Sequence, residues 1–152
     1  MIAMAAYNIR LSNPQDAPRL IDIWRQAVLA THHFLDARDF TEIEDVVANQ
    51  YLPDTVVYTV VDAQDMPLGF MGVTQNHIDT LFIDPDYHGQ GIGRILVEYI
   101  AALCASDITV SVNEQNPSAI GFYKYMGFQE TGRSECDPDG RPYPVLHLCR
   151  RC

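Results

Sequence analysis

Basic residues are scarce in this chain, where ten Lys plus Arg stand against twenty Asp plus Glu for a formal charge of -10. A surface of that sign repels nucleic acid and anionic lipid headgroups, so neither is an expected partner, while cationic molecules are mildly favoured. Long apolar runs are missing too. The best stretch, "ILVEYIAALCA", is short and carries Glu98, which argues against a membrane span. The opening "MIAMAAYNIR" has neither the basic flank nor the apolar core of a secretory leader, and the expected location is cytoplasmic. Cysteine is sparse: of Cys104, Cys136, Cys149 and Cys152, only the last two have C-x-x-C spacing. With no second pair and no ligand cluster beside them, a zinc or redox site is not expected and no metal is implied. Cys104, on the apolar side of its helix, reads as core. No repeat, low-complexity tract or linker divides the sequence, so residues 1–152 are expected to form one domain.

What is present supports an ordinary folded core, with 47% apolar residues in 152. "YNIRL" (7–11) reads as a strand. The segment that follows begins with Ser12 or Asn13 as a cap and Pro14 in the first turn, and sets Leu20, Ile23, Trp24, Ala27 and Val28 at helical spacing. Residues 41–52 suggest a second helix ended by Pro53 and Asp54. "VVYTVVD" and "PLGFMGVT" read as a hairpin across "AQDM". "HIDTLFID" continues the sheet, with His77, Asp79, Leu81 and Ile83 on one face and Ile78, Thr80 and Phe82 on the other. A helix over 92–105 should bury Ile95, Leu96, Tyr99, Ile100 and Leu103. Then come a strand in "DITVSVN", a helix in "PSAIGFYKYM", and closing strands in "GFQETGRSE" and "PVLHLCR". The order β, α, α, β, β, β, α, β, α, β, β predicts an α/β fold, a mixed sheet with helices on both faces.

Between the third of these central strands and the long helix stands "HGQGIG", with glycine at 89, 91 and 93. Glycine reaches backbone conformations closed to other residues, and a helix N-terminus presents unpaired N–H groups and partial positive charge. Together they describe a seat for a phosphate. It is not the dinucleotide fingerprint, because Arg94 stands where G-x-G-x-x-G needs its third glycine, nor a P-loop, because no Gly-Lys pair occurs in the chain.

"LFIDPDYHGQGIGRIL" resembles the acyl-CoA pyrophosphate loop of the GNAT superfamily of N-acetyltransferases, Q/R-x-x-G-x-G/A. "VNEQNPSAIGFYKYMGF" resembles the second block of that family, an asparagine followed by A-x-x-F-Y-x-x-x-G-F. "ATHHFL", "FIDPD", "TGRSE" and "RPYP" are similar to a bacterial subgroup, the YjaB-type enzymes, so the likeness covers nearly the whole chain. His88 departs from the family's Arg or Gln, which weakens that side chain's expected help with a phosphate. The resemblance implies a GNAT-like, mostly antiparallel sheet of about six to seven strands with about four helices. It also implies acetyl-CoA as co-substrate and an acetyl group passed to a primary amine by direct attack in a ternary complex.

Residue by residue, the resemblance implies that Leu81, Phe82 and Ile83 pair through their main chain with the pantetheine arm. The pyrophosphate would rest on N–H groups of Gly89, Gln90, Gly91, Ile92, Gly93 and Arg94, with Arg94 adding charge. Asn116 matches a position that hydrogen-bonds the cofactor, and it also reads as a helix cap before Pro117. Tyr123 matches the tyrosine held near the thioester sulfur and is the choice for general acid. A phenol near pKa 10 facing a thiolate near 8.5 is about 2 kcal/mol uphill for full transfer, which favours hydrogen bonding over complete protonation. Deprotonating a free lysine at pH 7 costs about 4.6 kcal/mol, so a base is expected. The candidates are Asp79, His77 and His32, one of which should set the acidic limb of the rate profile. "CDPDGRPYP" reads either as a border of the acceptor site, with Tyr143 as a wall, or as a rigid surface turn. The acceptor itself stays open: a protein lysine or N-terminus, an amino acid, a polyamine or an aminoglycoside. Two rivals remain, an acyl-CoA-binding sensor without turnover and a different nucleotide-binding protein. Monomer and homodimer are both compatible with the sequence.

Overall fold

The computed structural model describes residues 7–104 and 106–152. The leader reading of residues 1–6 and the expected last residue of the long helix, 105, lie outside the described residues. The elements follow the predicted order: β1 (Asn8–Leu11), α1 (Ala17–Thr31), α2 (Ala37–Val46), β2 (Tyr58–Val61), β3 (Pro67–Thr74), β4 (His77–Ile83), α3 (Ile92–Leu103), β5 (Ile108–Asn113), α4 (Pro117–Tyr125), β6 (Gln129–Ser134) and β7 (Val145–Arg150). The sheet is mixed, as expected, with strand order β1-β2-β3-β4-β5-β7-β6. β4 and β5 pair in parallel, while β1–β2, β2–β3, β5–β7 and β6–β7 pair antiparallel. No helix among the described residues is long and apolar enough to cross a membrane.

The chain divides into two compact units. The first comprises the described residues up to Gly72 together with Thr80–Leu96, and the second Val73–Asp79 with Val97–Cys152.

In the first unit, Asn13 caps a short 3-10 turn, Pro14–Asp16, that leads into α1. All five residues predicted for its inner face, Leu20, Ile23, Trp24, Ala27 and Val28, are buried. Leu20, Ile23, Trp24 and Val28 meet Leu52, Val57 and Phe70, with Phe40, Ile43, Tyr51 and Phe82 packed against the cluster. Trp24 lies 5.4 Å from Phe40 and edge-on to Phe82 at 6.5 Å. Each fully buried Leu, Ile, Val or Phe contributes about 1.5–3 kcal/mol, so this cluster is the main reason the helix stays on the strands. α2 starts earlier than its apolar pattern suggests, because the Asp36 carboxylate caps it by accepting the Asp39 N–H at 2.7 Å. Its first turn is polar and carries no periodicity to read. Past Val46 the helix widens into a π-helical turn, Val47–Tyr51, before Pro53 ends it.

α3 differs from its expected orientation. Ile92, Leu96, Val97 and Ile100 are buried, whereas Tyr99 is 38% and Leu103 57% exposed. Ile92, the first helical residue, sits against β3 and β4, where a β-carbon on Gly69 would come 3.2 Å from its Cγ2 and 2.6 Å from Ile83 Cδ1. With Ile92 inward, the residues four, five and eight positions on follow it at about 3.6 residues per turn. Cys104, expected in the core, is half-buried just past the helix end.

In the second unit β5 alternates cleanly, with Ile108, Val110 and Val112 buried and Thr109 and Ser111 exposed. β7 lies between β5 and β6, pairing Ser111 with His147 on one side and Gly132 with His147 on the other. The "CDPDGRPYP" loop is a tight turn in which Asp137 Oδ1 accepts the N–H groups of Asp139 and Arg141 at 3.0 and 2.8 Å. Tyr143 is 8% exposed, among the buried residues of this unit.

Candidate active site

The glycine loop begins at Asp84, which follows the last residue of β4. Its N–H donates to Leu68 O at 2.9 Å, and its Oδ1 accepts the Asp86 N–H at 3.0 Å, so the chain turns through a 3-10 turn, Pro85–Tyr87. His88 then emerges exposed, and Gly89 and Gly91 follow with φ of +79° and +78°. Both values lie in the left-handed region, where a side chain costs about 1–2 kcal/mol. A β-carbon on either would meet nothing within 4 Å, so the requirement for glycine here is conformational and leaves the main chain open to approach. Gly91 O accepts the Ile95 N–H at 2.9 Å and thereby opens α3. The N–H groups of Ile92, Gly93 and Arg94 fall in the first helical turn, which has no intrahelical acceptors. Arg94 is exposed in that turn, and the Tyr7 hydroxyl donates to Gln90 Oε1, tying the loop to the start of β1.

The expected cofactor strand is β4. Its parallel ladder with β5 comprises His77↔Thr109 and Ile78↔Val110, and Leu81, Phe82 and Ile83 lie beyond those pairs. Phe82 is anchored by the rings of Trp24 and Phe70, 6.5 and 5.7 Å away, which fixes this part of the strand. One turn of chemistry that the sequence did not reveal stands beside it. Thr80 Oγ1 accepts the Gly72 N–H at 2.9 Å and bonds the Tyr51 hydroxyl at 3.0 Å, bringing the π-helical turn onto β4. The sole sequence-level signal was the glycine at 72, whose meaning depends on which side chain arrives.

His32 ends α1. Thr31 Oγ1 donates its one proton to Ala27 O at 2.8 Å and lies 2.8 Å from His32 Nδ1, so Nδ1 is the donor of that pair and Nε2 keeps the lone pair. Burial, followed by the neighbouring charge of His33, pushes the His32 imidazole down to about 4. It is therefore neutral at pH 7.

In the second unit His77 Nδ1 meets Thr109 Oγ1 at 2.8 Å, and Asp79 Oδ2 accepts from Thr74 Oγ1 at 2.5 Å. His77 is half-buried and Asp79 exposed, each held by a threonine hydroxyl. Asn116 is 7% exposed and caps α4, its Oδ1 accepting the Ala119 N–H at 3.2 Å. Tyr123, 5% exposed, lies edge-on to Phe122 and Phe128 at 5.2 and 5.3 Å, and burial pushes its phenol well above the ordinary range. A phenol of that kind stays protonated and donates. Among the described residues no group of three or more His, Cys, Asp or Glu side chains is placed to hold a metal ion.

A model of the acetyltransferase (GNAT) domain matches residues 25–143. The chain is 51% identical over 141 residues to the peptidyl-lysine N-acetyltransferase YjaB of Salmonella typhimurium, covering 93% of this chain and 96% of that one. The solution structure of apo-form YjaB from Escherichia coli superposes with a TM-score of 0.90 at 46% identity, covering 95% of this chain and 97% of the other. The fold is also that of PaiA N-acetyltransferase from Thermoplasma acidophilum in complex with coenzyme A, with a TM-score of 0.75, 17% identity, and coverage of 97% and 99%.

Proposed function

The chain belongs to the GNAT acetyltransferase family and is an N-acetyltransferase, and we propose that it moves the acetyl group of acetyl-CoA to the side-chain amine of a peptidyl lysine. The acceptor follows from similarity to the YjaB enzymes, and the donor from the loop. The observation that carries the reading is the pair of left-handed glycines, 89 and 91, that turn an open main chain into the N-terminus of α3. Such a terminus stabilises a doubly charged pyrophosphate through N–H groups and the helix dipole. The family match runs across both compact units, which favours reading them as one acetyltransferase domain.

In this mechanism the main chain of Leu81, Phe82 and Ile83 takes the pantetheine arm as an added strand. The N–H groups of Gly89, Gln90, Gly91, Ile92, Gly93 and Arg94 hold the pyrophosphate, and Asn116 contributes its amide, whose Oδ1 is already engaged as the α4 cap. A main-chain N–H of Phe82 or Ile83 stabilises the tetrahedral oxyanion as the amine attacks the thioester carbonyl. As the C–S bond breaks, the Tyr123 hydroxyl hydrogen-bonds the departing thiolate. Its raised pKa makes this stabilisation, rather than completed proton transfer, the larger part of its work. The amine proton leaves through Asp79, His77 or His32. Of these, His32 is a weak base with a pKa about 4, and it takes a proton from the attacking nitrogen only once the ammonium-like adduct has formed.

The test is release of free CoA thiol from acetyl-CoA by the purified protein, with lysine peptides, free amino acids, polyamines and aminoglycosides as acceptors and with CoA titrated alongside. Release that depends on a lysine peptide is the expected outcome. Release only with a small amine would move the acceptor out of proteins, and absence of CoA binding would overturn the site.

A further inference from the structure

We infer that Arg19, on α1, is a positioning residue for the pyrophosphate loop and acts through Asp84. The inference rests on the reading of that loop as a pyrophosphate seat. The Arg19 guanidinium makes three separate contacts: Nε donates to Pro67 O at 2.9 Å, Nη1 to Asp22 Oδ2 at 2.9 Å and Nη2 to Asp84 Oδ2 at 2.6 Å. A planar fork with all three arms engaged has one orientation, and it joins the start of α1, the first residue of β3 and the corner after β4.

Asp84 passes that constraint on. Its side chain is only 10% exposed, with Oδ2 on Arg19 and Oδ1 on the Asp86 N–H. Its main chain is equally committed, the N–H to Leu68 O and the carbonyl to the Tyr87 N–H, both at 2.9 Å. The next bond, His88 N–H to Pro85 O at 3.2 Å, delivers the chain to Gly89. The direction in which the loop leaves β4 is therefore set by a turn whose cap is one carboxylate, and that carboxylate is oriented by one arginine. At the other end the loop is pinned by Ile92, buried against Gly69 and Ile83. Between these anchors Gln90 is tied by the Tyr7 hydroxyl, but the left-handed glycines on either side of it have no side chains with which to hold themselves, so an error in the exit angle still reaches the N–H groups that receive the phosphates.

Removing Arg19 leaves a buried carboxylate without its counter-charge, which is costly enough for the group to rotate toward water or take up a proton. Either response weakens the Asp86 cap. The effect expected of a positioning residue is a loss of donor binding without a matching loss of turnover at saturation. A residue that only stabilised the fold would instead lower the active fraction, reducing apparent kcat while leaving KM unchanged.

The experiment compares wild type with Arg19→Met, Arg19→Lys and Asp84→Asn in steady-state kinetics with varied acetyl-CoA, in direct titration of CoA, and in thermal melts. Arg19→Met and Asp84→Asn are each expected to raise the KM for acetyl-CoA and the Kd for CoA about tenfold, equivalent to 1.4 kcal/mol, with kcat within about twofold of wild type. Arg19→Lys, which keeps the charge but not the fork, should fall between. A KM within twofold of wild type in the folded variants, or a fall in kcat alone, would overturn the inference. If Arg19→Met does not fold, the near-isosteric Asp84→Asn decides. Wild type that binds no CoA would sink the pyrophosphate-seat reading itself, a result separate from any difference among variants.

Discussion

Tyr51 and Gly72 compete for one space: a β-carbon on Gly72 would stand 2.0 Å from the Tyr51 hydroxyl oxygen and 2.7 Å from Thr80 Oγ1. The tyrosine approaches β3 that closely because its position has no side chain, and the hydroxyl then reaches Thr80 on β4. Gly72→Ala should cost about 1–3 kcal/mol, as overpacking does, by driving the Tyr51 ring outward. Tyr51→Phe removes the nearer clashing oxygen and leaves Cζ 3.3 Å from the new methyl, while Thr80 Oγ1 stays at 2.7 Å, so it should recover part of that loss. Urea unfolding of both single variants and the double variant measures the coupling. Additive costs would show that the two positions do not share the space.

Gly89→Ala and Gly91→Ala test the loop by backbone alone, since the added methyl of either meets nothing within 4 Å. Holding φ near +79° or +78° with a β-carbon costs about 1–2 kcal/mol. If the native loop conformation is needed for binding, each change should raise the Kd for CoA about tenfold, since 1.4 kcal/mol is a factor of ten. Unchanged CoA titrations in both variants would remove the loop from the binding site.

Tyr123→Phe should lower kcat by one to two orders of magnitude while CoA binding stays within about twofold, because the ring keeps its packing on Phe122 and Phe128. Burial raises the phenol above its ordinary value, so the wild-type rate profile should show no alkaline limb from Tyr123 at ordinary assay pH. Turnover equal to wild type in the variant would reject the tyrosine as the group that stabilises the thiolate.

His32 gives the protein a defined acid sensitivity. Its pKa is pushed down from 6.5 to about 4, chiefly by burial, so between those values the unfolded chain binds more protons and stability rises with pH. The contribution is complete above about 6.5, is lost as pH falls toward 4, and amounts to at most about 3 kcal/mol across that window. His32→Asn should flatten the difference in unfolding free energy between pH 7 and pH 4.5. An identical difference in both proteins would show that the imidazole is not desolvated. The same shift bears on catalysis: an acidic limb of the rate profile that is unchanged in His32→Asn would pass the role of base to Asp79 or His77.

Much of this molecule could be read from the chain because its signals are local. Helical spacing marked all five inner residues of α1, and strict alternation marked β5, since one face of each element is buried. Where the burial boundary depended on a distant partner, the reading slipped: the inner face of α3 is set by Ile92 docking on Gly69 and Ile83, not by the widest apolar stripe. The start of α2 was hidden because a polar capped turn carries no hydrophobic period.

By itself the sequence determined the order of elements, the left-handed turns that only glycine enters readily, and the placement of that turn before a helix, because these depend on neighbours a few residues away. Tertiary structure alone decided that β7 enters between β5 and β6, that Tyr51 fills the space left by Gly72, and that Arg19 finds Asp84 across 65 residues. With ten basic and twenty acidic residues available, charge complementarity permits many pairings, and only the packed backbone selects among them by bringing two side chains within hydrogen-bond range.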